Sequence, residues 1–371
     1  MCYNEAMKLI AQVKLNPTEE QAEGLRKTLL AANGAAQHIS DYAWMAKTFG
    51  QYDLHHAQYY VIRKQFGLSA QMAVRVIAKV SDSYKIDKKT KRTFAKLGSV
   101  AYDSRILTWK ANQVVSLWTI SGRAKIPYQA GQRQLDLLQH AQGEADLIYR
   151  KGEWYIHQTC DIPEPDGFDP DEWLGVDSGI VNIATDSDGN MYSGAVITAM
   201  RHRRRRQRRR LQAKSTKSAK RVLRNLSKKE RRCATDVNHC ISKKIVENAK
   251  CTGRGIAIED LKGIRDRVKL RKRQRDDLHS WAFYQLHAFL EYKAKLHGVP
   301  FVKIDPRNTS CRCSVCGHTE KANRQTQDKF LCRQCGFSAA ADVNAAVNIS
   351  VVGRAVVNPP YESTTDVNFY Q

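Results

Sequence analysis

The sequence lacks the features of a membrane or secreted protein. No stretch of its 371 residues approaches the roughly 18–20 uninterrupted apolar residues that a membrane-spanning helix needs. Residues 1–15 lack the apolar core, about 7–15 residues long, of a secretory signal. We therefore expect a cytoplasmic protein in a reducing compartment. In such a compartment we interpret its ten cysteines as metal ligands or buried thiols in preference to disulfides.

Acidic residues are scarce, since 37 Asp and Glu stand against 61 Lys and Arg and leave a net charge of +24. The excess is concentrated: residues 201–275 hold 29 basic and six acidic residues, a net charge of +23. Such a segment predicts a groove for a polyanion, with affinity that comes from phosphate neutralisation and counterion release. Taken alone, the arginine run at 201–210 is also compatible with a nuclear-localisation signal or a solvated helix face.

Twelve residues of this segment are the predicted nucleic-acid contacts. They lie in two groups, the arginine run and a second basic stretch that follows it. These residues are Arg201, Arg203, Arg204, Arg205, Arg206, Arg208, Arg209, Arg210, Lys228, Lys229, Arg231 and Arg232.

The N-terminal part of the chain predicts a strand followed by a helical block. Residues 7–15 alternate as a strand does, and Thr18 with Gln21 forms a capping-box pattern. The helix that follows has apolar residues at 4-3-4-3-4 spacing from Leu25 to Ala43, and two further helices follow it. The hydrophobic content of the whole chain, 42%, is enough to form hydrophobic cores and excludes wholesale disorder.

Aromatic residues in these helices have two interpretations. Trp44, Tyr59 and Tyr60 either pack against the helical block or stack on bases, and we favour packing. After about residue 96 the pattern changes to short strands, which together with the first strand predict a small β-barrel interrupted by the helices. Residues 162–172, rich in Pro, Asp and Gly, predict a linker.

From residue 173 onward the predicted elements follow a diagnostic order. Three strands, a helix, a strand, a helix, a strand and a helix form the order of the RNase H-like fold. Asp177 and Glu259 end two of these strands, and Asp342 lies in the first turn of the last helix. Phosphodiester hydrolysis with two Mg²⁺ ions, about 3.5–4 Å apart, requires hard carboxylate ligands of this kind.

Any one of these acids by itself is better explained as a helix cap or a solvated charge. All three occur in the expected element order, and they accompany a strongly basic segment. The combination favours a nuclease over three unrelated surface acids.

Two CxxC pairs give the sharpest local signal. Cys313 and Cys316 are separated from Cys332 and Cys335 by 15 residues, the spacing of a Cys₄ zinc ribbon. Cys311 is too near Cys313 to fit this pattern. A disulfide is a poor alternative inside a cell, and a redox CxxC motif does not explain two copies. Four thiolates leave no open position, so we expect the zinc to be structural.

These motifs together resemble a known family. GVDSGI at 175–180, IAIEDLKGIR at 256–265, the paired CxxCG motifs within 313–336 and ADVNAA at 341–346 are similar to those of TnpB. TnpB is the OrfB-type, RNA-guided nuclease of small insertion-sequence elements, and it is regarded as ancestral to type V CRISPR effectors. The resemblance extends over nearly the whole chain.

The resemblance implies a multidomain α+β fold. It comprises a wedge-type β-barrel with an inserted helical recognition domain, and a RuvC (RNase H-like) nuclease domain with a zinc-ribbon insertion. The implied boundaries are 1–17 and 97–165 for the barrel, 18–96 for the helical domain, 171–307 and 339–352 for the nuclease domain, 308–338 for the ribbon, and 355–371 for a disordered tail.

The resemblance also implies an activity and its partners. Asp177, Glu259 and Asp342 match the three RuvC acids, and Arg324 falls where related miniature effectors place an arginine near the scissile phosphate. Related proteins use a guide RNA transcribed from the end of the element and cut double-stranded DNA beside a short flanking motif. The expected cofactors are Mg²⁺ and Zn²⁺. The expected location is the cytoplasm of a prokaryote, on the nucleoid when DNA is bound, with both monomer and dimer open.

Three alternatives to this activity were compared. A miniature type V CRISPR effector shares the domains, and only the genomic neighbourhood separates it from TnpB. A nuclease-inactive, RNA-guided repressor ranks lower, because it would lack one or more of the acids. A single-strand transposase is disfavoured, because the sequence shows no His-rich metal site with a nucleophilic Tyr.

Overall fold

The computed structural model describes residues 7–261 and 283–357, in two compact units. The first unit ends at Pro163 and the second begins at Glu164. This boundary lies inside the predicted linker. Among the described helices, none has the length and apolar character needed to cross a membrane.

The first unit is a seven-stranded antiparallel sheet into which helices are inserted. The strand order is β2-β6-β7-β1-β5-β4-β3, and the sheet is nearly closed and barrel-like. Its elements are β1 (Met7–Leu15), α1 (Glu19–Ala46), α2 (Gln51–Phe66), α3 (Ala70–Ile86), β2 (Val100–Tyr102), β3 (Leu107–Lys110), β4 (Val114–Thr119), β5 (Gly122–Gln129), α4 (Gln132–Leu138), β6 (Ala141–Arg150) and β7 (Glu153–Ile162).

Local signals explain where these elements begin and pack. The predicted capping box is confirmed: the Gln21 amide donates to the Thr18 hydroxyl, and the Thr18 amide donates back to the Gln21 side chain. Leu25 and Leu29 of α1 lie in the same buried cluster as Val115 of β4. The helices and the sheet of this unit therefore share one hydrophobic core.

The packing interpretation of the helical aromatics is correct in part. Trp44 and Tyr59 are partly buried against the core of the unit. Tyr60 is 78% exposed, so the interpretation is wrong for this residue. Because neighbouring positions on a helix face different directions, Tyr59 can pack while Tyr60 points outward.

The second unit is built around a five-stranded sheet of order β10-β9-β8-β11-β12. Strands β8, β11 and β12 are parallel, and β9 and β10 extend the sheet as an antiparallel meander. The elements are β8 (Trp173–Asp177), β9 (Asn182–Asp186), β10 (Met191–Ser193), α5 (Ala195–Lys214), α6 (Lys217–Cys251), β11 (Gly255–Glu259), α7 (Phe283–Leu296), β12 (Phe301–Ile304), β13 (Lys329–Leu331), β14 (Ser338–Ala340) and α8 (Ala341–Val357).

Helices cover both faces of this sheet. Leu174 and Val176 of β8 face the core formed with α6 and α7. Trp173 of the same strand faces Ile349 of α8 on the opposite side. Parallel strands buried on both faces have nearly continuous apolar sequences, which explains the composition of β8 and β11.

Three predicted boundaries are corrected by the structure. The single helix predicted after the three-stranded meander is in fact two helices. Ser215 has a left-handed φ of 50° and ends α5 before α6 begins. The hairpin of β13 and β14 continues to Ala340, beyond the predicted end of the ribbon at 338. Helix α8 continues to Val357, so the predicted tail does not begin at Ala355. The rest of that tail, and the basic residues from 262 to 275, lie outside the described residues.

A glycine allows the sheet and α8 to approach closely. A Cβ atom at Gly175 would lie 2.0 Å from the Ala346 carbonyl oxygen and 2.5 Å from the Ser350 amide nitrogen. Both of these atoms belong to the backbone of α8, which cannot move aside as a flexible side chain can. Gly175, the first glycine of the GVDSG motif, is therefore required by packing.

We expect Gly175→Ala to lower the free energy of unfolding of the second unit by about 3 kcal/mol, because the extra methyl group overpacks the contact between β8 and α8. Urea denaturation measures the change. Gly167→Ala is the control, since its Cβ would meet only the Gly298 carbonyl oxygen at 3.9 Å. Equal stability of the two variants would contradict this explanation of Gly175.

Candidate functional site

The three predicted acids come together at one edge of the second sheet. Val176 and Ile258 are register partners in the parallel pair of β8 and β11, so Asp177 and Glu259 end neighbouring strands. Side chains alternate along a strand, which places both acids on the α8 face of the sheet. Asp342 lies in the first turn of α8. Residues 165 positions apart in the chain thus form one acidic cluster.

Burial disfavours the charged forms of Asp177 and Glu259, and like charge adds to this effect at Asp177. Burial, together with the charges of Glu259 and Asp342, raises the pKa of Asp177 to about 7, against the opposing effect of Arg324. Burial also raises the pKa of Glu259, whereas a hydrogen bond from Thr309 and the charge of Arg324 lower it. Nearby like charges in a low-dielectric site act in this direction.

Two polar side chains contact the third acid. The Arg324 guanidinium Nη2 lies 3.5 Å from Asp342 Oδ1, and it donates to the Gln327 carbonyl at 3.1 Å. Asn182 of β9 donates from Nδ2 to Asp342 Oδ2 at 3.1 Å. The arginine predicted from the resemblance therefore lies beside the acids, although its role in chemistry stays a prediction.

The donor chemistry of this cluster fits a divalent cation. Three carboxylates in a buried setting repel one another, and Mg²⁺ prefers such hard oxygen ligands. A bound cation would favour the charged form of Asp177 and reverse the upward shift of its pKa.

The four predicted zinc ligands also come together. The sulfur atoms of Cys313, Cys316, Cys332 and Cys335 all lie within 4.8 Å of one another, and Cys311 is not in the group. The Cys313–Cys335 and Cys316–Cys332 sulfur distances are 3.7 and 3.5 Å. Tetrahedral zinc with Zn–S bonds of about 2.3 Å requires sulfur atoms about 3.8 Å apart. The residues therefore fit a structural zinc ion.

The cysteine cluster and the acidic cluster are joined by short connections. Arg324 lies between the two CxxC pairs, at the end of a 3₁₀ helix at Lys321–Asn323. The Ala341 amide at the start of α8 donates to the Asp328 carbonyl at 3.0 Å. The fold of the ribbon therefore determines where Arg324 lies relative to Asp342.

The predicted nucleic-acid contacts lie on α5 and α6, which pack against each other. Arg204 donates to the Leu226 carbonyl of α6 at 3.0 Å, and Arg208 forms an ion pair with Glu230. Eight of the twelve are exposed to solvent, namely Arg203, Arg206, Arg209, Arg210, Lys228, Lys229, Arg231 and Arg232. The contacts of Arg204 and Arg208 within the protein were not anticipated from the sequence.

Sequence reasoning missed the polar residues that surround the acids. Asn182 and Thr309 bond Asp342 and Glu259 directly. Asn344 and Asn348 are buried on α8, and their spacing of four residues places them on one helix face. Two asparagines four residues apart in a mostly apolar helix, close to Asp342, are the signal that would have indicated them.

Two family models match the chain in adjacent segments. Residues 157–264 match the OrfB_IS605 family, described as "Probable transposase", and residues 283–349 match the Cas12f1-like TNB domain. The chain is similar to proteins named TnpB-like and Cas12f1. The resemblance to TnpB that the motifs predicted is thereby confirmed.

Curated proteins named Cas12f1 and TnpB-like are identical to this chain at about a third of the aligned positions. The Cas12f1 endodeoxyribonuclease of Syntrophomonas palmitatica is 34% identical over 51% of this chain and 41% of its own length. The corresponding protein of Sulfoacidibacillus thermotolerans is 34% identical over 54% of this chain and 51% of its own length. The TnpB-like protein MJ0751 of Methanocaldococcus jannaschii is 34% identical over 35% and 46%. The chain thus spans about half the length of the curated relatives it matches.

Solved structures of Cas12 effectors share the fold. The Cas12f1–sgRNA–target DNA complex matches with a TM-score of 0.61 at 16% identity, over 90% of this chain and 83% of that one. The mini-RNA-guided endonuclease CRISPR-Cas_phi3 matches with a TM-score of 0.56 at 10% identity, over 96% and 93%. At these identities the likeness is one of fold.

We expect Cys316→Ser and Cys332→Ser to lose zinc and to destabilise the ribbon, because structural zinc contributes folding free energy on the order of 10 kcal/mol in small fingers. Elemental analysis and thermal melting measure the two effects. Cys311→Ser is the matched control and should retain one zinc per chain. A wild-type protein that contains no zinc would refute the assignment.

Proposed function

We propose that the chain is an RNA-guided DNA endonuclease that cuts double-stranded DNA with divalent cations held by Asp177, Glu259 and Asp342. The observation that carries this proposal is the convergence of these acids at one buried edge, beside Arg324. The similarity to Cas12f1 proteins supports it, since these relatives are described as endodeoxyribonucleases.

Each residue of the cluster has a part in the proposed hydrolysis. The three carboxylates would hold Mg²⁺ ions, which when bound would supply an activated water and stabilise the leaving oxygen. The guanidinium of Arg324 is available to a phosphate oxygen where negative charge develops. Asn182 fixes Asp342, and Thr309 fixes Glu259, through the hydrogen bonds described above. The ribbon's zinc is structural and takes no part in the chemistry.

The proposed domain organisation follows the family. The sheet of the second unit, with α8 closing it, is an RNase H-like RuvC domain, and residues between Ile304 and α8 form its zinc-ribbon insertion. The barrel-like sheet of the first unit is the wedge domain, and α1, α2 and α3 form the recognition domain. The strand order of the second sheet and the placement of these helices after β1 support this division.

The proposed partners are a guide RNA and duplex DNA. The exposed basic residues of α5 and α6 suit phosphates of any sequence, and a guide supplies sequence recognition by base pairing. A miniature CRISPR effector remains the second candidate, because Cas12f1 proteins are among the relatives at 34% identity. A neighbouring CRISPR array would support that candidate, and insertion-sequence ends with a transposase gene would support the TnpB-type nuclease.

We expect Asp177→Ala, Glu259→Ala and Asp342→Ala each to lower the cleavage rate by at least about 10³-fold, because each removes a ligand that stabilises transition-state charge. Binding of guide and target should stay nearly unchanged, since phosphate contacts lie elsewhere. Cleavage assays with gel shifts on the same preparations measure both.

Asp305→Ala provides the matched control for these variants. Asp305 follows β12 of the same sheet, but its side chain is 58% exposed and contacts Arg307. The variant should cut at the wild-type rate. Normal cutting by any one of the three acid variants would refute the role of that acid.

We expect Arg203→Gln combined with Arg206→Gln to weaken binding to nucleic acids of any sequence and to flatten the salt dependence, because each phosphate contact adds about 0.7–0.9 to the slope. The choice of target should not change. Binding to matched and scrambled duplexes at several salt concentrations, with and without the copurified RNA, measures this.

Arg204→Gln combined with Arg208→Gln gives the contrast on the same helix. These side chains contact α6, so this pair of substitutions should lower thermal stability more, and the salt slope less, than the Arg203 and Arg206 pair does.

Discrimination of the matched duplex by the RNA-free protein would overturn the guided mechanism and favour direct readout of bases.

A further inference from the structure

Three polar side chains are buried between the acidic cluster and the zinc ribbon. Thr309, Asn344 and Asn348 are only 4%, 1% and 4% exposed. A buried amide or hydroxyl without partners is destabilising, so such groups are expected to be hydrogen-bonded. All three have partners, and those of the two asparagines lie in one short turn that begins at Thr309.

The two asparagines of α8 hold the backbone of this turn. Asn348 donates from Nδ2 to the carbonyls of Thr309 at 2.9 Å and Arg312 at 2.7 Å. Asn344 donates to the Arg312 carbonyl at 2.8 Å and accepts from the Ser314 amide at 3.0 Å. The turn from 309 to 314, which includes the first zinc ligand Cys313, is therefore fixed on the helix that carries Asp342.

The same turn reaches the second acid. The Thr309 hydroxyl donates to Glu259 Oε1, at the end of β11. Its oxygen also lies 3.0 Å from the Pro306 carbonyl oxygen, but a hydroxyl has one proton, and the shorter contact is to the carboxylate. This hydrogen bond lowers the pKa of Glu259 against the effect of burial. One carboxylate oxygen is thereby held, and the orientation of the other is set.

We propose that Thr309 is a positioning residue for Glu259 and that Asn348 is a positioning residue for Thr309. The turn that leads into the ribbon then sets the geometry of the second carboxylate, and α8 sets the position of the turn. Partners that orient metal ligands in this way typically change metal affinity or activity 10- to 100-fold when they are removed. This inference rests on the proposed nuclease function.

The test compares Thr309→Val, which keeps the shape and removes the donor, with Thr309→Ser, which keeps the donor. Mn²⁺ binding to the zinc-loaded full chain is measured by calorimetry, and cleavage by the protein with its copurified RNA is measured against Mg²⁺ concentration. We expect Thr309→Val to raise both the Mn²⁺ dissociation constant and the half-saturating Mg²⁺ concentration about tenfold. Thr309→Ser should resemble the wild type.

Two further variants separate positioning from a general loss of structure. Thr119→Val removes a buried hydroxyl that donates to the Gly122 carbonyl in the first unit, and it should leave both metal measurements unchanged. Asn348→Ala should shift them in the same direction as Thr309→Val. If Thr309→Val does not fold, a tenfold shift in Asn348→Ala with zinc retained supports the proposal, and no shift overturns it.

The outcomes distinguish this inference from the function on which it rests. If Glu259→Gln abolishes cleavage but Thr309→Val binds and uses metal as the wild type does, the positioning role is overturned and the nuclease stands. Loss of zinc from Thr309→Val would show a purely structural role and would also overturn it. If the wild type neither binds Mn²⁺ nor cleaves DNA, the inference and the proposed function fall together.

Discussion

The cost of bringing three partly buried carboxylates together is the constraint on which the second unit depends. Asp177, Glu259 and Asp342 repel one another in a site where water is scarce, and the pKa of Asp177 rises to about 7 in consequence. An arrangement of this kind is stable only if the surrounding structure holds it, through hydrogen bonds and nearby positive charge. Arg324, Asn182 and Thr309 provide these contacts.

The ribbon and α8 are therefore part of the site and not appendages of it. Arg324 comes from the ribbon, Asp342 from the first turn of α8, and the turn before Cys313 is bonded to both α8 and Glu259. Gly175 lets α8 approach the sheet closely enough for these contacts to form. A protein in which the cysteine cluster, helix and sheet are linked in this way is expected to respond at its acidic edge to changes made in the ribbon.

Much of the fold could be predicted from local patterns. Strand β1 begins and ends at the predicted residues, and β8 and β11 end at Asp177 and Glu259 as predicted, because alternating or continuous apolar runs end there. The short β2 and α4 were missed, since three and seven residues carry too little periodicity. Local patterns also failed at Tyr60, whose exposure depends on its neighbours in the fold. They failed at Ser215 as well, where the backbone conformation breaks the predicted helix.

The sequence by itself determined which residues are candidate metal ligands, because carboxylates at strand ends and paired CxxC motifs supply hard oxygen and thiolate donors. Only the tertiary structure decided how that site is supported. Asn182, Thr309, Asn344 and Asn348 lie far from their partners along the chain, and an asparagine or threonine has no pattern that identifies a distant partner. Hydrogen bonds of this kind exist only after strand pairing and helix packing have brought the backbone into place, so their partners are a property of the fold.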